Sequence, residues 1–136
     1  MIHMTNIIAL LVAAIVAQVL GMLWYGPVFG KKWLGFMGWS QKEADKRMKE
    51  GKKNMLYAFI GSLVMAYVLA SFIGNLGTVG FSAGAMIGFW IWLGFLATTQ
   101  IGSVLWEGKP KGLYYLNTLY SLVNLAIMGG ILAAWQ

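Results

Sequence analysis

The sequence predicts an all-α fold, an integral membrane bundle of four transmembrane helices, and three observations support this prediction. Hydrophobic residues make up 60% of the 136 residues, compared with roughly 45–50% in soluble globular chains. Charged residues make up only 10%. Four apolar stretches without a charged side chain are long enough to cross a bilayer core of roughly 30 Å as helices. Because a small soluble domain buries too little surface to hide this much apolar area, the composition argues against a soluble enzyme.

The chain is predicted to form a single domain, residues 1–136, in which backbone groups surrounded by lipid make helix the default conformation of each stretch. The predicted helices cover residues 7–25, 55–73, 81–106 and 113–135. The first helix follows no basic segment and is longer than the apolar core of a signal peptide, so we expect it to be retained. The short connections between the second, third and fourth helices predict antiparallel neighbours.

The connection at residues 26–54 is the longest polar segment, and its start has the character of a membrane interface. Aromatic side chains mixed with lysines follow the first helix, as is typical of helix ends at the bilayer surface. Ser40 and Glu43 have the spacing of a capping box, which predicts a short interfacial helix over residues 41–50. A solvated polar helix is the alternative. The residues predicted to form a motif at the cytoplasmic rim are Trp24, Gly26, Pro27, Phe29, Trp33, Trp106 and Glu107.

The charged residues predict the orientation of the chain. All 10 basic side chains lie at residues 26–54 and 107–112, two connections that share one side of a bundle of four spans. The positive-inside rule therefore predicts that both connections are cytoplasmic and both termini extracytoplasmic, in the cell (inner) membrane. The net charge of +6 fits basic loops that contact anionic lipid headgroups, and we expect no nucleic-acid partner.

A weak repeat relates the ends of the first and third helices. Gln18 and Gln100 are each followed five and six residues later by Leu and Trp, and then by Gly and Pro. This spacing predicts two helical hairpins related by an axis along the membrane normal. Chance recurrence of Trp and Gly at helix exits is the alternative.

Small residues recur at intervals of four in all four stretches, which lets neighbouring helix backbones approach closely. The residues predicted to pack helices together are Ala13, Ala17, Gly21, Ser62, Ala66, Gly84, Gly88 and Gly130. These faces pack either within one chain, as a tight bundle, or against a second copy in a homo-oligomer.

Polar side chains within the spans share helix faces. The set is Gln18, Tyr25, Thr99, Gln100, Ser103, Asn117, Ser121 and Asn124. Polar groups in a bilayer face the bundle interior or a water-filled cavity, so this set predicts a small polar cavity that opens at the cytoplasmic rim. The alternative is that these groups only join helices through hydrogen bonds, each contributing about 0.6 kcal/mol.

Several kinds of chemistry are excluded by what the sequence lacks. There is no Cys and a single His, His3, so neither a thiolate metal site nor a Ser–His pair is available. No ionisable residue lies in the middle of a span, where a proton-coupled exporter needs its proton carrier. We therefore expect no catalytic residue, no metal and no cofactor.

The segments Gly21–Trp33 and Trp106–Pro110, followed by Leu113, Asn117 and Tyr120, resemble a known family. The chain is similar to the domain of unknown function 1761 family of small prokaryotic membrane proteins. The resemblance covers nearly the whole chain and implies four membrane helices. It implies no reaction. The chain departs from the family pattern at Ser121, where an aromatic side chain or His is frequent.

Three classes of function follow from these patterns. The first is a membrane-embedded binding or scaffold protein, possessing no catalytic chemistry and using its small-residue faces and basic loop, alone or as an oligomer. The second is a channel or transporter for a small polar or neutral solute, which would use the polar cavity. The third is an interfacial enzyme with Glu107 as its near-membrane carboxylate.

Overall fold

A computed structural model describes residues 7–49 and 51–135, and within these residues the chain forms six helices joined by short connections. They are α1 (Ile7–Val28), α2 (Gly30–Met37), α3 (Gln41–Lys49), α4 (Lys52–Asn75), α5 (Phe81–Leu105) and α6 (Lys111–Ala134). Helices α1, α4, α5 and α6 are long and apolar enough to cross a membrane. The predicted all-α membrane bundle is therefore confirmed.

The helices differ from the predicted ones mainly at their charged ends. Helix α4 begins at Lys52, three residues before the predicted start, because a lysine side chain reaches the polar surface while its backbone stays helical. The short helix α3 ends at Lys49, and Glu50, the last residue of the predicted helix, lies outside the described residues. The hydroxyl of Ser40 accepts a hydrogen bond from the Glu43 N–H at 3.1 Å, as the capping spacing predicts.

Helix α1 is kinked near its end. Gly26 leaves helical geometry, with φ −108° and ψ −105°, and Pro27 has no N–H to donate. The last turn, Trp24–Val28, is π-helical and therefore wider than an α-helical turn. It is closed by a hydrogen bond from the Phe29 N–H to the Trp24 carbonyl at 2.9 Å. The kink leads directly into α2, a helix that the sequence patterns did not predict. Helix α2 ends at Gly38, which adopts a left-handed conformation with φ 72°.

Helix α5 has a π-helical turn at Trp92–Leu96, in the middle of the span, and we call it the wide turn. Just beyond it, Thr98 donates its hydroxyl hydrogen to the Gly94 carbonyl at 2.8 Å, and Thr99 does the same to Phe95. Such side-chain bonds to the preceding turn bend a helix. The first half of α5 lies closely along α6, whereas the part after Leu96 contacts α6 only sparsely.

Helix α6 is the centre of the bundle. It contacts α1, α4 and α5, whereas α4 and α5 barely touch each other. The buried core consists of Ala9, Ala13, Ala17, Ala66, Leu69, Ala70, Ile73, Leu125, Met128, Leu132 and Ala133. Five of these eleven residues are alanines on α1 and α4, so these two helices approach each other and α6 closely.

The predicted small-residue faces pack within the chain. A Cβ atom added to Gly84 would overlap the Gly129 carbonyl oxygen, and one added to Gly88 would overlap the carbonyl oxygen of Leu125. Gly130 faces the Phe81 ring, and Gly21 lies against the Tyr120 hydroxyl. Ala13, Ala17 and Ala66 are fully buried, and Ser62 is half-buried on α4. A homo-oligomer stays a prediction.

Both charged connections lie at one end of the bundle, which we call the charged end. The Phe36 ring of α2 packs against Gly112 at the start of α6. At the opposite end the Gly80 N–H donates to the Ala133 carbonyl at 3.2 Å, joining the start of α5 to the end of α6. The α1–α6 contact is more extensive than its counterpart between α4 and α5, so the two hairpins are not packed equivalently. Their relation by a repeat stays a prediction.

The glycine contact between α5 and α6 makes a testable prediction. Gly84→Ala should lower the free energy of unfolding in detergent by about 2 kcal/mol, because the added methyl group overlaps backbone. Gly61→Ala on α4 is the matched control, since nothing lies within 4 Å of its added Cβ. It should be neutral or slightly stabilising. Equal unfolding temperatures for the two variants would contradict this packing.

Candidate functional site

A cavity of about 460 Å³ lies between α5 and α6 at the charged end, and we call it the α5–α6 pocket. Its lining residues are Thr99, Gln100, Gly102, Ser103, Trp106, Glu107, Tyr114 and Asn117. It opens where α5 leaves α6 after the wide turn. Four members of the predicted polar set meet here, together with two members of the predicted rim motif.

The inner wall of the pocket is a short chain of hydrogen bonds. The Gln100 side-chain amide donates to the Ser121 hydroxyl at 3.3 Å, and Ser121 donates to the Asn117 carbonyl at 3.1 Å. The side-chain oxygen of Gln100 is buried and has no hydrogen-bond partner among the described residues. A buried acceptor left unpaired costs about 1–3 kcal/mol, so a small shift of the Gln100 side chain that let this oxygen accept from a bound molecule would recover part of that cost.

The rest of the predicted polar set lies elsewhere. The Tyr25 hydroxyl donates to the Asn117 side-chain oxygen at 2.6 Å and closes the pocket toward α1. Gln18 lies between α1 and α4, where its amide donates to the Met55 carbonyl at 3.3 Å. Asn124 is buried deeper in the bundle, where its amide donates to the Met65 sulfur at 3.8 Å. The structure thus divides the set among four helix pairs: α5–α6, α1–α6, α1–α4 and α4–α6.

Aromatic side chains that the sequence patterns did not predict hold α5 to α6 around the pocket. The indole N–H of Trp92 donates to the backbone and side-chain oxygens of Thr118, at 2.7 and 3.1 Å. The Tyr114 hydroxyl donates to the Ala97 carbonyl at 2.8 Å. The sequence contained one signal for Tyr114: it stands three residues before Asn117, so the two side chains share the polar face of α6. A partly buried indole in a span also needs an acceptor, but the sequence does not distinguish Trp92 from the exposed Trp90.

The predicted rim motif is split between two places. Trp24, Phe29 and Trp33 form an aromatic cluster with Tyr25 around the kink at Gly26 and Pro27, with centroids 4.7 Å apart for Trp24 and Phe29 and 5.5 Å apart for Tyr25 and Trp33. The Trp24 indole N–H donates to the Leu116 carbonyl at 3.1 Å, which fixes the kink to α6. Trp106 instead lies at the mouth of the α5–α6 pocket, with 86% of its surface exposed.

The charge at the pocket mouth is balanced. Glu107 lies 3.9 Å from the Lys109 ammonium group, and both side chains are more than half exposed. An exposed pair of this kind contributes little to stability. The interfacial-enzyme hypothesis requires an unpaired Glu107 carboxylate, so this pair counts against that hypothesis. Among residues 7–49 and 51–135, no group of three or more His, Asp or Glu side chains is placed to hold a metal ion.

The fold and the pocket define a class of protein, a multi-pass integral membrane protein with a small polar pocket at the charged end of its helical bundle. The family model described as Protein of unknown function (DUF1761) matches residues 8–133, and the chain belongs to that family. This confirms the resemblance seen in the sequence. No match was found among curated proteins or among solved structures.

The contact between Trp92 and Thr118 gives a second prediction. Trp92→Phe should lower the free energy of unfolding by about 1 kcal/mol, since hydrogen bonds between membrane helices average about 0.6 kcal/mol each. Trp90→Phe is the matched control, because Trp90 is 60% exposed. Thermal unfolding in detergent measures both. An effect of Trp90→Phe as large as that of Trp92→Phe would contradict the assigned role.

Proposed function

We propose that this protein binds a small neutral polar solute in the α5–α6 pocket. The observation that carries the proposal is a pocket with polar walls at the charged end of the α5–α6 pair. At the opposite end the two helices pack directly against each other. Thr99, Gln100, Ser103 and Asn117 present hydroxyl and amide groups to the pocket. The volume of about 460 Å³ lies within the range of small-molecule sites. The proposal combines membrane-embedded binding, from the first class of function predicted from the sequence, with the polar cavity and small solute of the second class.

The wall chemistry favours an uncharged ligand. Hydroxyl and amide side chains both donate and accept hydrogen bonds, so they match solutes with the same mixed character, such as amides and polyols. The charged groups at the mouth, Glu107 and Lys109, offset each other. An ionic solute would therefore find no unbalanced charge to replace its hydration.

Binding is supported over conduction by the packing beyond the pocket. The Trp92 side chain crosses from α5 to α6, and past it Gly88 lies directly against the Leu125 backbone. A continuous path between α5 and α6 would have to separate these contacts. A transporter is the second candidate, because the buried oxygen of Asn124 lacks a partner among the described residues and lies one turn beyond Ser121.

The cytoplasm is the proposed source of the solute, because the pocket opens at the charged end of the bundle and the positive-inside rule assigns that end to the cytoplasm. The chain contains no Cys, so single cysteines report their side of the membrane cleanly. Lys42→Cys on α3 should react with an impermeant maleimide only after cells are opened. Val79→Cys, in the connection between α4 and α5, should react in intact cells. The reverse pattern would show the opposite orientation.

Protection of a cysteine in the pocket tests solute binding directly. Ser103→Cys places a thiol on the wall, and Leu105→Cys places one at similar depth on an exposed surface outside the pocket. In the full chain in nanodiscs, a panel of neutral amides and polyols should slow labelling of Ser103→Cys by a maleimide and leave that of Leu105→Cys unchanged. Adding Gln100→Leu should abolish the protection, because it replaces the amide group of the pocket wall with an apolar one.

Two outcomes would overturn parts of this proposal. Equal labelling rates with and without every solute of the panel would contradict binding in the pocket. Proteoliposomes that take up a protecting solute faster than protein-free liposomes would establish transport in place of binding alone.

A further inference from the structure

A second cavity, of about 490 Å³, lies between α1 and α4 beneath the α2–α3 arm, and we call it the α1–α4 slot. Its lining residues are Ala17, Gln18, Gly21, Met22, Tyr25, Gly26, Trp33, Trp39, Ala44, Arg47, Gly51, Met55, Ala58 and Tyr120. It shares no lining residue with the α5–α6 pocket. Three lining residues, Met22 on α1 and Met55 and Ala58 on α4, are exposed at the outer surface of these membrane-spanning helices. The slot therefore opens sideways toward lipid.

A row of aromatic rings forms the wall of the slot. Trp39 contacts Trp33 with ring centroids 5.3 Å apart, and Trp33 contacts Tyr25 at 5.5 Å. The row continues to Tyr120 on α6, whose ring centroid lies 5.4 Å from that of Tyr25. Indole and phenol rings are preferred where lipid headgroups meet hydrocarbon. The row therefore runs from the headgroup level into the apolar layer.

The cationic side chain of Arg47 lies at the end of the aromatic row nearest the charged end of the bundle. The Arg47 guanidinium lies over the Trp39 ring, 4.3 Å from its centroid, and lies 3.3 Å from a Glu43 carboxylate oxygen. Stacking of this kind leaves guanidinium N–H groups free to bind a phosphate. The same stretch of chain carries further cations: Lys31, Lys32, Lys42, Lys46, Lys49, Lys52 and Lys53. The described acidic side chains there are Glu43 and Asp45, so the stretch is strongly positive.

We propose that the α1–α4 slot holds one acyl chain of an anionic phospholipid, with the phosphate at Arg47. The slot matches such a lipid in three ways: an apolar channel open to the bilayer, an aromatic wall at the headgroup level, and positive charge at its mouth. A soluble anion would match only the charge, and an uncharged apolar molecule only the channel. This site is separate from the proposed solute pocket, and either proposal stands if the other fails.

Lipid retention by the full chain tests the headgroup contact. We would purify the protein, exchange it into mixed micelles of phosphatidylglycerol and phosphatidylcholine, and count bound lipids by native mass spectrometry in concentrated ammonium acetate. The wild-type chain should retain one phosphatidylglycerol in preference to phosphatidylcholine. Arg47→Gln should reduce this retention about ten-fold, the effect of losing one hydrogen bond to a charged group. Lys46→Gln removes the same charge from the next position of α3, outside the slot, and should change retention little because salt screens distant charges.

A second pair of variants tests the acyl chain. Ala58→Phe fills the slot without changing charge, and Ala83→Phe places the same ring on an exposed position of α5. Only Ala58→Phe should abolish retention of phosphatidylglycerol. Equal losses in Arg47→Gln and Lys46→Gln would show diffuse attraction and overturn the site. Unchanged retention of phosphatidylglycerol in Ala58→Phe would also overturn the site. So would a dimer that is present in the wild-type chain and lost in Ala58→Phe, because it would assign the slot to a second copy of the chain.

Discussion

The close approach of α5 to α6 is the contact on which the third span and its pocket depend. Lipid provides no hydrophobic driving force between helices, so attachment relies on dispersion between closely approaching backbones and on hydrogen bonds. Gly84 and Gly88 on α5 and Gly129 on α6 allow that approach, because each lacks the Cβ atom that would block it. Helix α5 has almost no other partner among the described spans. The α5–α6 pocket begins where this glycine contact ends and the wide turn at Trp92–Leu96 carries α5 away.

The spans were predictable because bilayer thickness sets a minimum apolar length, and charged side chains end such a run in the sequence. Helix ends were less predictable, since α4 starts at Lys52, where the side chain is polar and the backbone is still helical. Helix α2 was missed because its eight residues contain two glycines and two lysines, which obscure helical periodicity. Its position depends on the kink at Gly26 and on Phe36 packing against Gly112, and these are contacts between distant parts of the chain.

The polar face of α6 was predictable, but the division of its residues among partners was not. Asn117, Ser121 and Asn124 fall within about 60° of one another around a helix axis. Because α6 is surrounded by three helices, that arc spans different neighbours: Asn117 bonds to α1, Ser121 to α5, and Asn124 to α4. Backbone carbonyls add partners that periodicity does not show. Trp24, Trp92 and Tyr114 each donate to a main-chain oxygen of another span, where any residue type would serve as acceptor.

The central place of α6 has a consequence for the order in which the bundle forms during synthesis. Helix α6 follows the other three spans in the chain, and it is the helix that all of them contact. When α1 and α4 enter the bilayer they already have each other as partners, whereas α5 enters with its glycine face turned to lipid. Assembly of these four spans is therefore completed by the insertion of α6. A nascent chain stalled before α6 would leave α5 as an orphan span, the part of the protein most open to recognition by membrane quality-control proteases.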